Sequence, residues 1–225
     1  MFERYAVFYT PPAGDLARFG AEWLGWDSAK GEAVAHLKIE GVDVSKTTKT
    51  PRKYGIHGTL KAPFHLIKGA TVEELGAEVE SFAKAQRPVA LARLALRHEH
   101  GFVALHPDGD VVDLLALASN IVRAFDSFRA PLTKADIVRR RQSNLTKRQD
   151  QQLLDWGYPY IFGDFHFHLT LSGRLGAREG KALMSALTPM VAPILPRPMV
   201  IDAITLVGQD REGMFQQIHR YALTG

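Results

Sequence analysis

Residues 4–10, Arg4-Tyr-Ala-Val-Phe-Tyr-Thr10, are aromatic and β-branched and stop at Pro11-Pro12, which predicts a strand. Leu16, Phe19, Gly20, Trp23 and Leu24 follow at helical spacing. The pattern weakens from Asp27 to Lys53, and this region reads mostly as loop. Residues 55–67 predict a strand running into an extended segment through Pro63. Thr71-Val-Glu-Glu74 is a capping box: a threonine hydroxyl and a glutamate three residues on satisfy each other's free backbone N–H groups. It opens a helix with Val72, Leu75, Val79 and Phe82 on one face. Residues 88–97 and 102–106 read as strands, and 111–128 as a helix with Leu114, Leu115, Ala118, Ile121, Val122 and Phe125 turned inward. Thr133-x-x-Asp136 and Thr146-x-x-Gln149 mark two more helix starts. Strands are expected over 164–172, 199–207 and 214–222, with a helix over about 178–190.

This order repeats. His57 and His168 stand 111 residues apart, and each begins a strand–helix–strand–strand series. Arg87-Pro88 lies 30 residues after His57, and Arg197-Pro198 lies 29 after His168. Gly101-Phe102 lies 44 residues after the first histidine, and Gly213-Met-Phe215 lies 45 after the second. Such a register predicts an α+β fold made by duplication: two pseudo-symmetric lobes, each with an antiparallel sheet, around a central cleft. The chain, residues 1–225, is expected to be one domain of two lobes, approximate halves 1–110 and 111–225. No Gly/Ser/Pro-rich linker separates them.

Composition narrows the chemistry. There are no cysteines among the 225 residues, which excludes disulfides, thiolate metal sites and a cysteine nucleophile. Lys and Arg number 28 against 24 Asp and Glu, a net charge of +4 that permits an anionic ligand without demanding nucleic acid. The start lacks the basic, apolar and small-residue regions of a secretory signal, and charge breaks the apolar stretches. A cytoplasmic protein with no membrane partner is the expectation. No Walker P-loop, dinucleotide G-x-G-x-x-G or G-x-S-x-G elbow occurs in the sequence.

The repeats share His-x-Thr-Leu, as His57-Gly-Thr59-Leu60 and His168-Leu-Thr170-Leu171. A strand's side chains alternate, so each motif presents an imidazole and a hydroxyl on one face, opposite a mainly apolar one. Two such strands related by a pseudo-twofold axis bring two histidines and two threonines into one cleft. That set suits phosphodiester chemistry. A neutral imidazole can take a proton from attacking water, a protonated one can give a proton to the leaving oxygen, and two hydroxyls can donate to the non-bridging oxygens.

The paired motifs resemble the 2H phosphoesterase superfamily, which is named for its two His-x-Thr/Ser motifs. Longer segments are similar to one bacterial branch associated with phosphonate-utilisation genes. They are Tyr54-Gly-Ile-His-Gly-Thr-Leu-Lys-Ala-Pro-Phe64, Trp156-Gly-Tyr-Pro-Tyr160 and Phe165-His-Phe-His-Leu-Thr-Leu171, with Arg4–Pro12 and Trp23-Leu-Gly25. The resemblance implies a duplicated α+β fold and a cyclic phosphodiesterase-like hydrolase acting on a small phosphorylated substrate. It implies His57 and His168 as catalytic residues and Thr59 and Thr170 as phosphate-binding ones. It calls for no cofactor and no metal.

Other residues are candidates too. Lys61 continues the His57–Thr59 face and is placed to offset phosphate charge. Tyr54 is a candidate to line the cleft. His166-Phe-His168 and His98-Glu-His100 are His-x-His pairs of the kind metals use, and the second is expected to be exposed at a hairpin turn. Residues 134–148 hold Lys134, Arg139, Arg140, Arg141, Lys147 and Arg148. On a helix three successive arginines point about 100° apart and cannot all face one ligand. Trp156, Tyr158 and Tyr160 are candidates to stack on a base. Two rival readings stay open: an RNA- or nucleotide-binding module without catalysis, and a metal-dependent hydrolase built on His166 and His168.

Overall fold

A computed structural model describes residues 2–225. In chain order the strands and helices are β1 (Arg4–Tyr9), α1 (Asp15–Leu24), β2 (Trp26–Asp27), β3 (Glu32–Ala33), α2 (Val44–Thr47), β4 (Gly58–Phe64), α3 (Val72–Lys84), β5 (Val89–Leu91), β6 (Arg93–Glu99), β7 (Phe102–Asp108) and α4 (Val112–Ala124). They continue as α5 (Lys134–Arg141), α6 (Lys147–Trp156), β8 (Leu169–Thr170), α7 (Ala177–Val191), β9 (Met199–Ile201), β10 (Ala203–Gln209) and β11 (Phe215–Ala222).

The capping signals hold. Thr71, Thr133 and Thr146 each accept from the backbone N–H three residues on, and the residue there returns the bond to the threonine's own N–H. The duplicated order is present as β4-α3-β5-β6-β7 and β8-α7-β9-β10-β11, and the fold is α+β with every sheet pairing antiparallel. Three expected strands are shortened or split. The strand over 164–172 is reduced to β8, because a 3₁₀ turn, Phe162–Asp164, precedes it and Phe162 takes a φ of +51°. The strands over 88–97 and 199–207 are each split in two, with β5 and β9 pairing to each other away from the main sheet.

The main sheet has seven strands in the order β11-β10-β1-β4-β8-β7-β6. Its two halves meet at one pairing, Gly58 with Leu169. They do not follow the expected sequence halves 1–110 and 111–225: β10 and β11 join β1 and β4, while β6 and β7 join β8. The reason is backbone accounting. Ala6, Val7, Phe8 and Tyr9 are essentially inaccessible, so β1 needs hydrogen-bonding partners on both edges. The fully buried β10 supplies the second partner.

Alternation sorts the two sheet faces. Tyr5, Val7, Tyr9, Leu60, Leu105, Leu169, Ile204 and Leu206 enter the main core together with residues of α1, α3, α4 and α7. Ala6, Phe8, Val207 and Phe215 form a small apolar cluster on the opposite face, with Tyr54 packed against it. Two glycines permit close approach. A Cβ on Gly20 of α1 would collide with Ile56, and one on Gly58 would collide with the Phe167 ring. Trp23, fully buried, donates its indole N–H to the Leu171 carbonyl (2.7 Å) and ties α1 to the end of β8.

Candidate active site

The two motifs lie side by side at the junction of the sheet halves. With Gly58 opposite Leu169, continuing the antiparallel register by one residue sets His57 across from Thr170 and Thr59 across from His168. The histidines thus occupy one diagonal and the threonines the other. All four line a single cavity of about 210 Å³, together with Tyr54, Arg140 and Tyr158.

Both imidazoles are held by the same device. His57 Nδ1 lies 3.0 Å from the Gly55 carbonyl, and His168 Nδ1 lies 2.8 Å from the His166 carbonyl, in each case two residues back. A carbonyl only accepts, so both Nδ1 atoms carry hydrogen and both Nε2 atoms are left as the basic nitrogens. His57 is buried, tilted against Phe8 (4.2 Å between ring centroids) and stacked on Tyr54 (5.2 Å). Tyr54 in turn stacks on Phe215 (4.9 Å). His168 lies against Phe102 (5.4 Å) and stacks on His106 (5.8 Å).

Burial pushes the His57 imidazole down to about 4; the Gly55 carbonyl opposes this and the nearby His168 adds to it. His168 is also lowered, first by burial and then by His166 and His100, against its own carbonyl partner. Both rings are therefore neutral in the free protein at pH 7. Neither Thr59 nor Thr170 has a hydroxyl partner among the described residues, so both hydroxyls are available to a ligand in the cavity.

The remaining candidates divide. Tyr54 joins the cavity. Lys61 does not, because the register of β1 against β4 shifts between Val7–Lys61 and Phe8–Thr59, making Leu60 an extra residue. The shift turns Lys61 to the helix-covered face, where Nζ donates to the Val122 carbonyl (3.0 Å) and to Asp126 (3.3 Å). Ala62 takes the cleft position in its place. Residues 134–148 fall on α5, the turn after it and the start of α6, and place one arginine, Arg140, at the cavity. Arg139, Arg141 and Arg148 are tied to Asp136, Asp150 and Asp164, whereas Arg140 lies over the Tyr158 ring at 4.9 Å. That choice is set by the helix's rotation and by its acidic neighbours, which the basic run alone does not reveal.

A second cavity of about 720 Å³ opens from the first, sharing Thr59, Ala62, Tyr158 and His168 with it. Tyr160, Phe102 and His106 line it; the last two were not singled out from the sequence, which carries no local signal for them. Trp156 instead packs edge-on against Phe162 at 5.2 Å. The His98–His100 pair is split by the hairpin turn. His98 packs beneath Gly180 of α7 rather than standing exposed, and His100 faces the cleft. Among the described residues no group of three or more His, Asp or Glu side chains is placed to hold a metal ion. No helix there is long and apolar enough to cross a membrane.

An α+β chain with two His-x-Thr motifs facing one cleft defines the class, and the comparisons give the family. The chain belongs to the family described as protein of unknown function (DUF1045), whose pattern matches residues 59–216. It is 34% identical over 218 residues to ribose 1,5-bisphosphate phosphokinase PhnN of Janthinobacterium sp. (strain Marseille), covering 93% of this chain and 48% of that protein. It is 31% identical over 173 residues to the protein of the same name from Laribacter hongkongensis (strain HLHK9), covering 76% and 40%. The chain thus spans about half the length of the curated relatives it matches, or less. Similar solved structures include LigT of E. coli complexed with 3′-AMP (16% identity, 100% of both chains, TM-score 0.44). TT0787 of Thermus thermophilus is another (12% identity, 99% and 98%, TM-score 0.45).

Proposed function

We propose that this chain is a phosphoesterase that hydrolyses a cyclic phosphodiester of a small metabolite, by metal-independent acid–base catalysis with His57 and His168. The observation that carries the reading is the convergence of both His-x-Thr pairs on one cavity, each imidazole tied back through Nδ1 and each Nε2 left basic. His57, the more enclosed ring, is assigned as the base. Its Nε2 takes a proton from water as the water oxygen bonds to phosphorus. The ring P–O bond breaks, and His168, which in the productive form has taken a proton from solvent on Nε2, gives it to the departing oxygen, leaving a phosphate monoester and a free hydroxyl. The Thr59 and Thr170 hydroxyls donate to the non-bridging oxygens, where negative charge builds up. Tyr54 holds the His57 ring in place by stacking.

The phosphokinase named for the longer relatives needs a nucleotide-phosphate loop, and this sequence has no Walker motif. We assign that activity to the part of those proteins this chain does not cover. The phosphonate-associated resemblance and the relatives' names support a small phosphorylated metabolite as the substrate. A panel of 2′,3′-cyclic nucleotides and cyclic ribose phosphates, assayed for phosphomonoester product with and without chelator, tests the proposal. Turnover that survives chelation is expected. Activity lost with EDTA and restored by zinc or manganese transfers the case to His166 and His168, and binding without turnover of any member transfers it to a nucleotide-binding module.

A further inference from the structure

The four motif residues occupy the smaller compartment of the cleft, about 210 Å³, which holds a phosphoryl ring and little more. The rest of any substrate extends into the larger compartment, whose wall carries a guanidinium and two imidazoles that the proposed chemistry does not use. We propose that this larger compartment binds a second phosphate, a monoester carried by the substrate away from the scissile ring, through Arg174, His100 and His166. The inference rests on the phosphoesterase reading for its account of the substrate, though not for the binding site itself.

Arg174 lines the compartment and has no carboxylate partner among the described residues, unlike Arg139, Arg141 and Arg148. His100 is set by a turn in which it and Gly101 both take positive φ, +53° and +81°. Both values are those a two-residue type I′ hairpin turn between Glu99 and Phe102 requires, and the turn fixes where the His100 ring stands. The turn is clamped to the Arg174 segment: Leu175 N–H donates to the Gly101 carbonyl (2.8 Å), and an Arg174 terminal nitrogen lies 4.0 Å from where a Gly101 Cβ would stand. The His166 ring is 6.4 Å from His100, close enough for both imidazoles to reach one phosphoryl group. Asn144 lines the same wall.

A guanidinium and two imidazoles match the three terminal oxygens of a phosphate monoester better than the two of a carboxylate. The groups also feel one another, since His166 and His100 both lower His168. A bound dianion would reverse that repulsion. Glu99 is the acidic group in this wall, and its oxygens lie 3.7 Å from Arg97 and 3.9 Å from His106. Arg97 is shared with Asp108 (2.9 Å), which Arg93 also pairs, so two arginines together balance Glu99 and Asp108. His106 is itself buried, pushed down to about 4, with Nε2 lacking a partner.

The test follows the histidine ring C–H resonances of the intact chain during titration with glycerol 3-phosphate. It is repeated in a His57→Ala/His168→Ala double variant to separate the two compartments. The His100 and His166 signals should shift in both proteins, and Arg174→Gln should weaken that binding at least tenfold. A kinetic arm compares adenosine 2′,3′-cyclic phosphate with and without a 5′-phosphate. The intact chain should prefer the 5′-phosphorylated form, and Arg174→Gln should cut that preference at least tenfold. Shifts confined to His57 and His168, no shift at any histidine, or shifts driven by adenosine but not by glycerol 3-phosphate would each overturn the proposal. Failure of all cyclic substrates would sink the phosphoesterase reading while leaving the resonance arm to decide this one.

Discussion

His57 and His168 are oriented by the same bond: each donates its Nδ1 hydrogen to the carbonyl two residues earlier, at 3.0 Å and 2.8 Å. Equivalent tethers on both repeats give two rings with the same tautomer and the same free nitrogen. Replacing either histidine by alanine should lower turnover at least a few hundredfold, since general acid and general base terms are each worth about 10²–10⁴. The double variant should lose less than the product of the two, because the pair acts as a unit. A single variant with near-wild-type turnover, its fold verified by circular dichroism, would end the two-histidine mechanism.

The pH dependence follows from the same burial. The productive form carries one proton on the pair, and both rings are lowered from 6.5, His57 to about 4. As pH falls through the lower value the base is protonated and the rate drops. As pH rises through the upper value, still below 6.5, the acid is lost and the rate drops again. The kcat/KM profile should be bell-shaped with its maximum on the acid side of neutrality, falling from pH 7 to 9. Its two apparent values belong to the coupled pair. A profile flat from pH 5 to 9, with chemistry rate-limiting, is the contrary result.

The hydroxyls can be probed without changing side-chain shape. Thr59→Val or Thr170→Val removes one donor to the phosphoryl oxygens and should lower kcat by about tenfold or more. The bell should keep its position. A valine variant that retained full kcat would remove that threonine from the mechanism.

Much of this was legible in the sequence because it is local. Capping boxes, the apolar run of β1 and the His-x-Thr spacing each depend on a few neighbouring residues, and the threonine caps and β1 form where the sequence places them. What escaped depends on pairing at long range. The placement of β10 beside β1 is decided by which strand edges need partners. The extra residue at Leu60 is invisible to strict alternation, yet it turns Lys61 away from the cleft, before a second register shift between Lys61 and Phe64. His106 and Phe102 reach the site only because β7 pairs with β8.

Gly58 is where that long-range pairing can be broken. It holds the single pairing between β4 and β8, and the core-side space a Cβ would need is filled by the buried Phe167 ring. Overpacking of this kind costs about 1–3 kcal/mol. Gly58→Ala should therefore lower the urea midpoint and, by spreading the two motif strands, reduce turnover more than stability alone explains. Gly163→Ala, with nothing within 4 Å of its Cβ, serves as the control. Equal behaviour of the two variants would mean the junction tolerates separation.

Lys61 offers the sharpest contrast between sequence position and structural position. Two residues from Thr59, it nonetheless sits 4% exposed against α4, and burial pushes it down to about 8 despite Asp126. Asp126 remains bonded to Arg129 at 2.8 and 3.0 Å, so removing the lysine leaves no orphaned carboxylate. Lys61→Met removes the buried charge but also the donor to the Val122 carbonyl, so it should destabilise by no more than about 1–3 kcal/mol, and kcat/KM should stay within about twofold. A pH signature accompanies this. The folded chain releases the Lys61 proton near 8, whereas an unfolded lysine keeps it to about 10.4. Between those values the unfolded state binds more protons, so stability gains with rising pH, and the gain should vanish in Lys61→Met. Urea denaturation at pH 7 to 9.5 reads the slope. A tenfold rise in KM for Lys61→Met would instead return this side chain to the substrate.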